Sequence, residues 1–139
     1  TTAQMNLAYI AAVTLADGDA FVEQFTPQRV VDPTLIELAS RVHVHADPDV
    51  DVLGDSARHR TRVSVTLRSG RVLIETRDGA RGGIRDPLTR DEIVNKYRRL
   101  ASTVLDDEAV GRLENCVLAL EQIRDIAQLV TMLRTFPST

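Results

Sequence analysis

The chain has 139 residues, enough for one domain with a real core, and 43% of them are hydrophobic against 27% charged. A net charge of −3 gives no electrostatic reason to expect a polyanion such as nucleic acid as partner, and a single cysteine, Cys116, excludes an internal disulfide. Aromatic residues make up only 4%, so aliphatic side chains must fill the interior.

The opening, TTAQMNLAYIAAVTLADG, predicts a helix from about Ala3 to Ala16, with Gly18 supplying a left-handed exit. It is apolar nearly all round, as expected of a helix buried on most sides. It has no basic leader and is too short and too interrupted to span a bilayer, so a cytoplasmic protein is expected. DAFVEQF is a second short helical stretch. Thr26-Pro27 and Asp32-Pro33 each set a capping side chain before a proline at the first helical position, and the latter predicts a helix over 33–41.

VHVHAD alternates and predicts a half-buried strand, with His43 and His45 on one side. DPDVDVLGDSAR reads as an acidic loop. RTRVSVTLRSGRVLIETR predicts a β-hairpin turning at Ser69-Gly70, with Val63, Val65, Leu67, Val72 and Ile74 on one apolar face. The Gly-rich DGARGGIRDP leads to a capping box, Thr89 with Glu92. Three helical stripes follow: Ile93 to Val104, Val110 to Leu120 and Ile123 to Leu133. The tail FPST closes the chain. Neighbouring strands flanked by helices predict an α+β fold, a small antiparallel-containing sheet covered on one face by helices.

Several clusters invite chemistry. His43, His45, Asp47 and His59 could form a metal site, but no cysteine or glutamate cluster completes it, and a solvated sheet face is the reading adopted; no metal is expected. Arg58, Arg60, Arg62, Arg68, Arg71, Arg77, Arg81 and Arg85 crowd around the hairpin. They could bind phosphates or polycarboxylates, against the plainer reading of a solvated face balanced by Asp47, Asp49, Asp51 and Asp55. Without stacking aromatics or a known motif, neither nucleic acid nor membrane is an expected partner. The glycines of Arg81–Pro87 would let backbone N–H groups approach an anion, although no nucleotide-binding spacing is present. Cys116 reads as a buried, inert thiol. Tyr9 is either a core tyrosine bonded to backbone or a phenol at a cleft edge able to relay a proton; physics alone leaves both open.

The order AQMNLAYIAAVTLADG, DAFVEQFT, DPTLIELASRVHVHADPDVD, then VSVTLRSGRVLIETR, RGGIRDPLTRDEIVNKYRRLA and LENCVLALEQIRDIAQLVTML closely resembles the C-terminal domain of the MmgE/PrpD family. That family includes 2-methylcitrate dehydratase, cis-aconitate decarboxylase and iminodisuccinate epimerase. The resemblance implies a single α+β domain over 1–139, a partner all-helical domain that would precede it, and homo-oligomers. It implies a cofactor-independent lyase or isomerase acting on a small di- or tricarboxylic acid, in the first place a 2-methylcitrate dehydratase-like activity. The family's acid–base residues lie mostly in the helical domain, so this chain by itself is expected to be inactive. Tyr9, in LAYIAA, matches a tyrosine lining the cleft in cis-aconitate decarboxylase and is the catalytic candidate. Arg81, Gly82 and Gly83 are the substrate-binding candidates, although Asp86-Pro87 replaces an Asn-Pro-like step of the family. Lys96-Tyr97-Arg98 occupies a family Lys-Phe-Arg segment and reads as helix structure. The alternative is a freestanding binding or dimerisation module, its first helix pairing with a second copy.

Overall fold

In the computed structural model, residues 2–57 and 59–134 are described, Ser56 by its backbone alone; Arg58 and the FPST tail lie outside the described residues. The internal contacts group the chain into two compact units that divide after position 58. The fold class is α+β, with short and long helices beside one antiparallel hairpin. No helix among the described residues is long and apolar enough to cross a membrane.

The first unit is helical. A 3₁₀ turn over Ala3–Met5 leads to α1, Leu7–Asp17. The break falls at Asn6, whose Oδ1 accepts the Tyr9 N–H at 3.1 Å and so caps α1 at its start. Gly18 ends α1 at φ 76°, the left-handed exit that a side chain would resist. A 3₁₀ turn, Val22–Phe25, follows, then α2, Pro27–Val30, and α3, Pro33–Ser40. The two capping signals act as expected: Thr26 accepts from Arg29 N–H, and Asp32 from Thr34 N–H. Packing of α1 on α3 builds the core of Tyr9, Val13 and Leu35, with Ala3, Ala20, Phe25 and Val30 around it.

Burial of α1 is one-sided. Tyr9, Ala12 and Val13 are inside, while Met5 just before it and Leu7 and Leu15 within it stay exposed. The expected strand at VHVHAD does not form; residues 42–47 are irregular, although the His43 and His45 rings still stack with centroids 6.4 Å apart. An alternating pattern marks side chains for two faces, but a strand also needs a neighbour for its backbone groups, and the described sheet has two strands only. The acidic segment is likewise not an open loop. It holds α4, Pro48–Asp51, capped by Asp47, and a 3₁₀ turn at Gly54–Ala57. Asp47-Pro48 is the same start signal that opens α3.

The second unit begins with β1, Thr61–Thr66, and β2, Val72–Arg77. Leu67 N–H donates to Arg71 O and Gly70 N–H to Leu67 O, both at 2.9 Å, with Gly70 at φ 83°. This is a three-residue loop, not the two-residue Ser69-Gly70 turn expected. The odd loop changes which side chains share a face. Val65 lies opposite Leu73 and Val63 opposite Glu75, whereas Val72 and Ile74 lie opposite Thr66 and Ser64. Directly opposed residues project to the same side, so the single apolar face resolves into two mixed faces. Val63, Val72 and Ile74 accordingly remain at least half exposed.

Three helices complete this unit: α5, Arg90–Ala101, α6, Asp107–Leu118, and α7, Ala127–Arg134. The capping box of α5 forms in full, with Thr89 N–H donating to Glu92 Oε2 at 2.7 Å and Glu92 N–H to Thr89 Oγ1 at 3.3 Å. Val110, Leu113 and Cys116 are the buried positions of α6. Between α5 and α6, Tyr97 OH donates to Val110 O at 2.9 Å and Arg98 grips Glu114 by two 2.7 Å bonds.

Candidate functional site

The candidate residues fall in both units, Tyr9 in the first and Arg81–Gly83 in the second. Each is described in its own setting.

Tyr9 is held on α1 one turn after the Asn6 cap, and only 5% of its surface is exposed. Its hydroxyl donates to Gln24 O at 2.6 Å, and its ring meets Phe25 with centroids 5.7 Å apart at a tilt of 53°. Burial pushes the phenol above its ordinary pKa; nearby Arg29 pulls the other way, and Asp17 and Asp32 add to the rise. This is the environment of a neutral phenol bonded to backbone.

Arg29 organises the same neighbourhood. It reaches Asp17 at the end of α1 and Asp32 at the start of α3, each at 2.5 Å. The hydrogen bond to Asp17 holds the guanidinium charged, while the Thr34 backbone N–H and then Arg29 lower the Asp32 carboxyl below its usual range. The sequence foreshadows half of this network, because Arg29 and Asp32 are one turn apart. Nothing local announces Asp17, twelve positions upstream.

The Arg81–Pro87 segment is a tight turn. Gly82 N–H donates to Asp86 O at 2.7 Å, Gly83 N–H to Ala80 O at 3.0 Å and Asp86 N–H to Gly83 O at 3.2 Å. Gly82 sits at φ 91°, and a Cβ on Gly83 would lie 3.1 Å from Ala80 O, so both glycines are required by the turn itself. Their N–H groups, expected to face an anion, are spent inside the loop. Arg81 is spent too. Nε and Nη2 bond the Glu92 carboxylate, and Nη1 bonds Asp86 Oδ1 and Pro87 O. All three guanidinium nitrogens are thus engaged. The contact with Arg81, helped by Thr89, holds the Glu92 carboxyl at about 2.

The wider arginine cluster is partly neutralised by neighbours in the hairpin. Arg60 bonds Asp78 at 2.6 Å and Arg77 lies 3.1 Å from Glu75. These partners differ from the acidic run at 47–55 that the sequence suggested. Among the described residues no group of three or more His, Cys, Asp or Glu side chains is placed to hold a metal. An open cavity of about 310 Å³ lies along α5 and α6, lined by Arg98, Ser102, Asp107, Glu114 and Asn115, and its one arginine is committed to Glu114.

Residues 1–122 match the MmgE/PrpD C-terminal domain. The chain belongs to the MmgE/PrpD family. Its relatives include a cis-aconitate decarboxylase-like protein of Aspergillus oryzae, 31% identical over 96% of this chain and 27% of its own length. The cis-aconitate decarboxylases of Aspergillus terreus and Mus musculus are each 31% identical, over 94% and 95% of this chain and 26% and 27% of theirs. The chain thus spans about a quarter of the length of these MmgE/PrpD relatives.

Proposed function

We propose that this chain serves as the C-terminal domain of a cofactor-independent lyase acting on a small tricarboxylic acid, with decarboxylation of cis-aconitate as the favoured reaction. The observation that supports this reading is the near end-to-end match to the cis-aconitate decarboxylases of a fungus and a mammal, and to a cis-aconitate decarboxylase-like protein of a second fungus. Dehydration of 2-methylcitrate, which the family resemblance implied, is the comparison reaction, because no relative named above carries that activity in its name.

Dehydration removes a proton beside a carboxylate, whereas decarboxylation breaks a C–C bond, releases CO₂ and takes up one proton, at the carbon left behind or at the far end of an adjoining C=C. The acid–base groups for this belong, in our reading, to the all-helical domain of the family. The present chain supplies shape and cationic contacts. Tyr9 could relay a proton only by giving up its 2.6 Å bond to Gln24 O, so we assign it the task of fixing α1 against the Val22–Phe25 turn.

The test is turnover by the full encoded polypeptide on cis-aconitate and 2-methylcitrate, followed by proton NMR, with and without a metal chelator. Release of CO₂ from cis-aconitate that the chelator leaves unchanged supports the proposal. Turnover of 2-methylcitrate alone moves the assignment to dehydration. Failure to convert or bind any di- or tricarboxylic acid overturns it in favour of a non-catalytic module.

A further inference from the structure

Within the Arg81–Pro87 turn, the arginine chosen from sequence and the arginine left available by the fold are different residues. Arg81 is already committed, since Glu92, Asp86 and Pro87 engage all three of its nitrogens. Displacing those partners would leave two carboxylates next to an incoming anion, which is unfavourable twice over. Arg85 is four residues on, exposed, and its side chain makes no hydrogen bond or ion pair among the described residues.

The turn presents Arg85 in a defined way. Asp86 N–H closes onto Gly83 O, which puts Ile84 and Arg85 at the two central positions. Below them, Gly83 and Asp86 form a β-bridge and the Arg81 bonds tie the turn to the first turn of α5. Ile84 is fully exposed, at 102%. A large aliphatic side chain and a free guanidinium are thus held side by side at the tip of a loop whose base is cross-braced. Holding the base fixed lowers the ordering cost of any contact made at the tip.

We propose that Arg85, rather than Arg81, is the arginine of this loop that binds a carboxylate of the substrate, with Ile84 covering the acid's carbon skeleton beside it. This rests on the reading of the protein as a lyase for a small polycarboxylic acid. A guanidinium with all five donors free pairs with a carboxylate through two parallel bonds, which a lysine cannot reproduce. Arg81 acts as a positioning residue, setting the turn through Glu92 and Asp86.

The test uses the full encoded polypeptide with cis-aconitate as substrate and propane-1,2,3-tricarboxylate as an unreactive probe in calorimetry. Arg85→Gln should raise KM and the probe's dissociation constant by about 10- to 100-fold, with the unfolding midpoint unchanged. Arg85→Lys should recover only part of that loss. Arg81→Gln should lower the unfolding midpoint as well, because Glu92 and Asp86 lose their shared partner. Turnover and probe binding that Arg85→Gln leaves unaltered overturn this inference but not the proposed function. Absence of both turnover and probe binding in the unsubstituted protein overturns the functional reading itself, and this inference with it.

Discussion

Replacing Tyr9 by Phe removes one oxygen and nothing else, so it isolates the 2.6 Å bond to Gln24 O. A carbonyl deprived of a buried donor costs about 1–3 kcal/mol. Gln24 is only half-buried, so water can reach its carbonyl in part, and the low end, about 1 kcal/mol, applies. For a chain of this length that is a fall of about 3–5 °C in Tm. Tyr9→Leu also loses the ring contact with Phe25 and leaves space in the core, for about 2–4 kcal/mol. Calorimetric or circular-dichroism melts at neutral pH should therefore rank the wild type above Tyr9→Phe and that above Tyr9→Leu. The raised phenol pKa adds an alkaline signature. The fold holds this proton more tightly than the unfolded chain does, so stability falls as pH rises above about 10, the unfolded value. Tyr9→Phe should reduce that limb without abolishing it, because burial raises Tyr97 in the same direction. Turnover by the full polypeptide should survive Tyr9→Phe within a few-fold. A loss of about 100-fold or more, the scale of a missing proton donor, would refute the structural assignment of Tyr9. An unchanged Tm would refute the hydrogen-bond reasoning.

Two other perturbations follow from the same structure. Leu35→Ala, at a site 1% exposed in the core of the first unit, should cost about 2–5 kcal/mol in urea unfolding. Ile36→Ala next to it, 53% exposed, should stay within about 0.5 kcal/mol. Glu92, held at about 2 in the fold, favours the native state above its unfolded value of 4.5 and loses that advantage as pH falls through about 2. The melting gap between wild type and Glu92→Gln should therefore be full at neutral pH and close in strong acid. A gap independent of pH would show that the Arg81 bonds do not set the carboxyl's state.

Local signals carried most of the helical framework. Asp32-Pro33 starts α3, Thr89 with Glu92 starts α5, and Gly18 ends α1, because each satisfies orphan backbone groups within one turn of chain. What escaped the sequence was whatever depends on a distant or absent neighbour. The alternation at His43 and His45 had no strand to pair with. Asp47-Pro48 was passed over as loop because its helix is a single turn among acidic residues. In the loop after the hairpin, sequence reasoning offered Arg81 and its glycines as substrate contacts. It could not see that Glu92, eleven positions on, had already claimed the guanidinium.

The three-residue hairpin loop has a consequence for how this chain can vary. Leu67 and Arg71 close the loop, so deleting Arg68 or Ser69 would give a two-residue turn and leave Val72 opposite Thr66 and Ile74 opposite Ser64. A single codon lost there would change the turn without moving any strand side chain to the other face, whereas one lost inside β2 would re-sort every side chain beyond it. Single insertions and deletions should therefore collect at this turn, and those inside a strand should arrive with a bulge or with the alternation beyond them inverted. The turn absorbs changes of length that the strands cannot, and relatives that differ by one residue there should keep the pattern of β2.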